Sequence, residues 1–411
     1  MPTQYVITLV HGTWAPNAAW TRPGSPLRAS LESALDGRVR FRRLLWTGRN
    51  RQADRADAAS RTRRILNAGI RACPDASHFV IAHSHGGNIV RAALQDVELQ
   101  QRVAGVVTMG TPFIDCRPRD ATLQLGLFAL TVAILGGFVA VVIGAQVILR
   151  VVGAATIDNS PILPGLLGLA VLIGWVMCSR GLYRFLTHRL ALWSARIPER
   201  TTSRLVGTAR ISTPFLCVGL EGDEANLGLG IAGWIADTPF RTAARLGRFV
   251  QRWWTRVLRI VWILGIPLAL AGFADQRIAA MAVAGAVLLA IPALTWPFML
   301  VVPRIPWVAF GVGRERLADS VFSHVFSTRT PPLCDRCTVK YFDPREVIKG
   351  GRLRAIVSGT LFHSSVYGAP AVSQYIASWL RTTRGSSNNG IVNAADPNFA
   401  SGTSPRNILR R

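Results

Sequence analysis

Phe79-Val80-Ile81-Ala82-His83-Ser84-His85-Gly86-Gly87-Asn88-Ile89-Val90 runs without an acidic or basic residue other than histidine from an apolar stretch, through a serine, into a helical pattern. It reads as a strand, a tight turn and a helix, with Ser84 at the turn. A G-x-S-x-G pattern needs small neighbours because the backbone at the serine is strained and the strand and helix pack closely. Here Ala82 stands at the first glycine position and Gly86 at the second. The helix that follows presents backbone N–H groups and the positive end of its dipole, which favour a negative oxygen forming above the serine.

Working outward, Tyr5–Val10 is a charge-free, β-rich run that stops at His11-Gly12-Thr13-Trp14, where Gly12 allows close backbone approach. After the serine helix comes Val103–Met109, then Gly110-Thr111-Pro112-Phe113. Pro214–Leu220 reads as another buried strand and stops at Glu221-Gly222-Asp223-Glu224; Leu361–Tyr367, carrying His363, precedes an amphipathic segment from Ala371 to Leu380. This set resembles the α/β-hydrolase fold, and within it the serine lipases and esterases that carry His-Gly, a serine elbow and Gly-Thr-Pro. The resemblance covers about residues 1–120, 205–225 and 335–385. It implies an α/β sheet with helices on both faces, and the chain order Ser84, Asp223, His363 matches the fold's order of nucleophile, acid and base.

The chemistry of those residue types agrees. A serine hydroxyl is a weak nucleophile until an imidazole takes its proton, and the imidazole needs a carboxylate to fix its tautomer and stabilise its charge. Backbone N–H groups of His85, just after the nucleophile, and of Gly12 or Thr13 are the expected oxyanion donors. No cofactor and no metal is required. Competing readings remain at each position: Ser84 as a helix cap; His324, His11, His78, His83, His85 or His188 as the base; Glu221, Glu224 or Asp115 as the acid.

Elsewhere the chain is apolar on a different scale. Residues 123–149 carry no charge, a run longer than the ~20 residues that cross a bilayer. Pro161–Cys178, Val257–Ala274 and Ile278–Val302 follow, so the expectation is an α/β-hydrolase sheet interrupted by two transmembrane helical hairpins, four spans in all. The alternative is four helices buried in a large soluble core. The flanks are arginine-rich (Arg117, Arg119; Arg180, Arg184, Arg189; Arg248, Arg252, Arg256 and Arg259, the last inside the start of the third run; Arg304, Arg314, Arg316), while the short hairpin loops are balanced, Arg150 with Asp158 and Asp275 with Arg277. That placement predicts a bacterial inner-membrane protein with its catalytic domain and both termini in the cytoplasm, and the start Met1-Pro2-Thr3-Gln4-Tyr5 lacks the basic region of a signal peptide.

The formal charge of +25 is almost entirely arginine, Lys340 and Lys349 being the only lysines. Juxtamembrane arginines suit anionic lipid headgroups, and no helix-turn-helix, zinc-finger or RNA-binding pattern points to nucleic acid. The six cysteines read as unpaired in a reducing compartment; Cys334-Asp335-Arg336-Cys337 alone has a metal or dithiol spacing. The expected layout is hydrolase sequence at 1–120, a first hairpin at 121–180, a juxtamembrane helix and acid strand at 181–225, a second hairpin region at 226–310, the histidine-bearing part at 311–383 and a disordered tail at 384–411. Together these features predict an integral membrane serine hydrolase of the lipase/esterase type, cleaving a lipid or lipid-linked ester through an acyl-serine. The alternatives are a membrane-tethered esterase for a soluble ester and a non-catalytic membrane scaffold.

Overall fold

The computed structural model describes residues 4–119, 163–221, 223, 228–238, 240–242, 301–313, 317–347 and 362–388. Its centre is a six-stranded, wholly parallel sheet in the order β2-β1-β3-β4-β6-β8. The strands are β1 (Tyr5–Val10), β2 (Val39–Leu44), β3 (Ser77–His83), β4 (Gly105–Met109), β6 (Phe215–Leu220) and β8 (Cys337–Phe342). β1, β4 and β6 are buried at every position and β3 at all but its first, because helices cover both faces of a parallel sheet. Those four strands are the apolar runs of the sequence. β2 and β8 lie at the edges and are largely half-exposed, carrying Arg40, Arg42, Arg43 and Lys340.

Alternation along each strand builds two cores. Ile7, Leu9, Phe79, Ile81, Val107, Met109, Leu216 and Val218 face α1 (Pro26–Ala34) and the C-terminal helix Pro370–Asn388, meeting Leu27, Leu31, Val372 and Ile376. Val10, Val80, Ala82, Val106, Phe215 and Cys217 face the other way, onto α2 (Gln52–Ala72) and α3 (Gly86–Ala93) through Leu66, Ile70, Ile89 and Val90. Each large side chain so buried contributes roughly 1.5–3 kcal/mol. Local signals start the helices: Ser25 caps α1 by accepting from the Arg28 N–H, with Pro26 in the first turn, and Asp96 caps α4 (Val97–Arg102).

β5 (Phe113–Pro118) leaves the main sheet and pairs antiparallel with β7 (Ser323–Thr328). Ile114, Cys116, Val325, Trp307 and Phe310 form a satellite core there with Leu205 and Val206, which end a helix spanning Leu163–Leu205 or directly follow it. Arg91 of α3, fully buried, donates to the carbonyls of Val206 and of Leu205 (2.7 Å), so the end of that long helix is tied to the serine helix. His324 is on β7, which directly follows the helix Leu317–Phe322.

The four-span arrangement is overturned. Among the described residues no helix is long and apolar enough to cross a membrane. From Leu163 onward the run beginning at Pro161 is part of the Leu163–Leu205 helix, whose charge-free part, Leu163–Ser179, falls short of the ~20 residues a span needs. Beyond it Arg180, Arg184, Arg189, Arg196, Arg200 and Arg204 recur, and the helix packs against β5 and the Leu317–Phe322 helix. The runs 123–149 and 257–274, most of 278–302, the loops at Asp158 and Asp275, Glu224 and residues 389–411 lie outside the described residues. Of the tail expected from 384, residues 384–388 lie in the last helix, Pro370–Asn388. The cysteines are also corrected: Cys334, just before β8, and Cys337, its first residue, form a disulfide, while Cys73, Cys116, Cys178 and Cys217 are free thiols.

Candidate active site

β3 ends at His83, and Ser84 turns the chain with φ at +54° before α3 begins. This left-handed conformation costs a residue with a Cβ roughly 1–2 kcal/mol. Surrounding bonds hold it. The Ser84 N–H donates to the Met109 carbonyl (2.9 Å), extending the β3–β4 ladder by one step, and the Ser84 carbonyl accepts from Thr111 Oγ1 (2.9 Å) and the Gly87 N–H (3.0 Å). The turn fits only because its neighbours are small: a Cβ on Gly86 would lie 2.7 Å from the Val10 carbonyl oxygen, and one on Gly87 2.4 Å from Thr111 Oγ1.

The His11-Gly12-Thr13 segment leaves β1 beside this turn. A Cβ on Gly12 would stand 2.7 Å from Ser84 Cβ, so the backbone of β1's exit lies against the serine itself. His11 sets the local peptide. Its Nε2 accepts from the Trp46 N–H (3.4 Å), which leaves the ring proton on Nδ1 to donate to the Gly12 carbonyl (2.8 Å). Trp46 Nε1–H donates to the His11 carbonyl (2.9 Å) and its ring stacks on the imidazole at 5.4 Å. Burial, the largest influence, pushes the His11 pKa down and keeps this neutral tautomer. The Gly12–Thr13 peptide plane is thereby fixed next to Ser84, and His85, whose N–H follows the serine, is the N-cap of α3.

Asp223 follows β6, and His363 lies in the 3-10 turn Phe362–Gly368 that precedes the C-terminal helix. The structure brings them together across 140 residues of chain: His363 Nδ1 is 2.8 Å from Asp223 Oδ2, both side chains buried. With the shared proton on Nδ1, the lone pair of the neutral ring is on Nε2. Gly110, at the end of β4, is required twice over: its φ is +56°, and a Cβ would meet His363 Cε1 at 2.8 Å and Asp223 Oδ2 at 3.3 Å. The exits of β1, β3, β4 and β6 thus gather Gly12, Ser84, Gly110 and Asp223 at the carboxyl edge of the sheet, where open α/β sheets place their chemistry.

The competing residues sit elsewhere. Glu221 is exposed at the end of β6, and Asp115 belongs to β5, where Oδ1 accepts the Cys116 N–H (2.7 Å). His78 stands at the other end of β3, bonded to the Cys73 carbonyl (2.9 Å); His188 is exposed on the long helix. His85 is buried with Nδ1 3.3 Å from the Asn88 amide, and desolvation drives its pKa well below 6.5. Sequence reasoning missed two supports, Thr111 and Asn88. Asn88 donates to the Pro112 carbonyl (2.9 Å) and accepts from the Ile114 N–H (2.9 Å), locking the Gly-Thr-Pro turn onto α3. A buried-face asparagine directly after Gly86-Gly87, at the start of α3, was the available signal. Among the described residues no group of three or more His, Cys, Asp or Glu side chains could hold a metal.

No family model matches the chain, and no curated protein does either. Solved structures overlap it in part. A cutinase-like protein from Cryptococcus sp. is 23% identical over 27% of this chain and 55% of its own, with a TM-score of 0.23. An iodinated complex of acetyl xylan esterase is 17% identical over 28% of this chain and 65% of its own (TM-score 0.22), and a second acetylxylan esterase structure is 16% identical over the same shares (TM-score 0.22). The chain spans between about half and two thirds of the length of these structures.

Proposed function

We propose that the chain is a serine hydrolase that cleaves carboxylic esters through an acyl-serine intermediate, on a sheet of the α/β-hydrolase type. The observation that carries this reading is the buried 2.8 Å His363–Asp223 pair at the same sheet edge as Ser84 in its left-handed turn. Ser84 Oγ attacks the ester carbonyl while His363 Nε2 takes its proton; Asp223 keeps the imidazole oriented and stabilises the imidazolium. The N–H groups of His85 and of Gly12 or Thr13 receive the oxyanion, each typically worth about 2.7–4 kcal/mol in the transition state. His363 then protonates the leaving alcohol, and water repeats the sequence on the acyl-enzyme.

The test is active-site labelling with a fluorophosphonate together with turnover of nitrophenyl esters from acetyl to long-chain acyl. Both should occur in the native chain and vanish in Ser84→Ala. Labelling that survives in Ser84→Ala overturns the assignment of the nucleophile, and a native chain that neither labels nor turns over any ester makes the fold a scaffold. The acyl series reads the substrate class, since each CH₂ buried in an apolar path contributes up to about 0.8 kcal/mol.

A further inference from the structure

The residue before the nucleophile is itself a buried histidine with no part in the steps above. His83 ends β3 with its side chain on the face opposite Ala82, and its Nε2 lies 3.2 Å from the backbone carbonyl of His363. Its ring is 4.8 Å from the His363 ring, meets Tyr367 edge-on at 5.2 Å and Trp20 at 6.3 Å; Trp20 in turn stacks on Tyr367 at 5.7 Å. We propose that His83 is a positioning residue that ties the strand carrying Ser84 to the peptide carrying His363 and so sets the separation of nucleophile and base. This rests on the serine-hydrolase reading above.

Packing alone does not call for histidine here. Aromatic and apolar groups surround the ring, so phenylalanine would fill the space without bringing a polar group that costs free energy unless bonded. What histidine adds is one N–H donor aimed at one carbonyl. A carbonyl oxygen only accepts, so the proton of the neutral ring is on Nε2 and the lone pair on Nδ1. Burial, reinforced by the nearby His363, pushes the His83 pKa down to about 3. His83 therefore stays neutral when His363 becomes an imidazolium, and no second positive charge forms beside it. The link is also short: peptide bonds join His83 rigidly to Ser84, and its side chain reaches the main chain of His363. Misplacing a catalytic group by about 1 Å costs about a hundredfold in rate.

The experiment compares His83→Phe, which keeps a ring and removes the donor, with His83→Gln, whose amide N–H can replace Nε2–H. Measurements are kcat and KM on a nitrophenyl ester, thermal unfolding, and the downfield proton resonance of the His363 Nδ1–H···Asp223 bond. His83→Phe should lower kcat about a hundredfold with KM little changed and should shift or broaden the resonance; His83→Gln should restore most of both. Should His83→Phe fail to fold, His83→Met, which also fills the space without a donor, carries the same expectation. Native kcat and an unmoved resonance in the donor-free variant overturn the proposal, as does an equal loss in Phe and Gln variants that follows their thermal stability. If the native chain turns over no ester, the hydrolase reading fails by itself, and the resonance still decides whether His83 holds His363.

Discussion

Two regions of this molecule each place a buried histidine against an aspartate, and they are chemically opposite. At the sheet edge that also carries Ser84, His363 Nδ1 hydrogen-bonds Asp223 at 2.8 Å. On the satellite sheet, His324 Nδ1 is 3.9 Å from Asp237 Oδ1, too far for a hydrogen bond, while Asp237 Oδ2 is held by Arg241 at 2.7 Å and Arg117 at 3.6 Å. Arg119 lies 3.2 Å from His324 Nδ1, and as a guanidinium it can only donate, so that nitrogen carries no proton. Desolvation, opposed by Asp237 and joined by Arg119, Arg117 and Arg241, pushes the His324 pKa down to about 4. The difference teaches that what surrounds the carboxylate decides whether a buried His–Asp pair hydrogen-bonds. Where arginines take the aspartate, the imidazole serves as an acceptor in a structural cluster.

The contrast is broken or sharpened first by deletion. Ser84→Ala and His363→Ala should each lower kcat by about 10⁴ to 10⁶-fold, measured on a nitrophenyl ester, whereas His324→Gln should retain turnover. The carboxylates follow. Asp223→Asn should cost about 10⁴ in kcat because the tautomer is no longer imposed. Asp237→Asn should keep kcat and lose about 1–3 kcal/mol in urea unfolding, since Arg241 and Arg117 lose their carboxylate partner and buried Arg119 its nearby opposite charge. Retained activity in Asp223→Asn with lost activity in Asp237→Asn would exchange the roles of the two pairs.

Acid separates the regions less sharply. Folding holds the His324 pKa at about 4, below its ordinary 6.5, so between these values the unfolded chain binds more protons. The stability this neutral histidine allows is fully present above pH 6.5 and declines as pH falls toward 4, at up to about 1.4 kcal/mol per pH unit. His83, His85 and His11, also depressed, act in the same direction. Urea midpoints followed from pH 7 to 4.5 should therefore fall, and His324→Gln should flatten the slope; an unchanged slope would remove His324 from the account. The smallest expected effect is at Gly110. Alanine there should cost roughly 1–2 kcal/mol of stability for its positive φ, and its Cβ should displace His363 and lower kcat without a large change in KM.

Physical environment explains which elements were legible. Strands β1, β3, β4 and β6 are buried on both faces, so they had to be written as continuous apolar runs, and the turns at Ser84, Gly12 and Gly110 had to be small. β2, Val-Arg-Phe-Arg-Arg-Leu, gave no such signal because it is an edge strand whose arginines reach solvent, and β8 with Lys340 is the other edge. β5 and β7 were not legible as a sheet, since Phe113 pairs with Thr328 across 215 positions of sequence and no local pattern records such a pairing. The apolar stretch before Arg180 was misread because local apolarity by itself does not measure a span: the charge-free part stops at Ser179, and the same helix runs on through Arg180, Arg184 and Arg189 to Leu205.

By itself the sequence determined the central parallel strands and the strand–serine–helix turn, because burial on two faces and a strained backbone restrict residue type locally. Which acid meets which histidine was decided only by tertiary structure. Asp223, Glu221 and Asp115 all follow or sit on strands, and His363 and His324 both closely follow a phenylalanine, Phe362 and Phe322. A hydrogen bond is set by separations of tenths of an ångström between atoms 140 residues apart, and no local pattern encodes such a distance. Close packing of Gly110 against His363 and Asp223, and the donor that His83 aims at the His363 carbonyl, belong to the same class of fact.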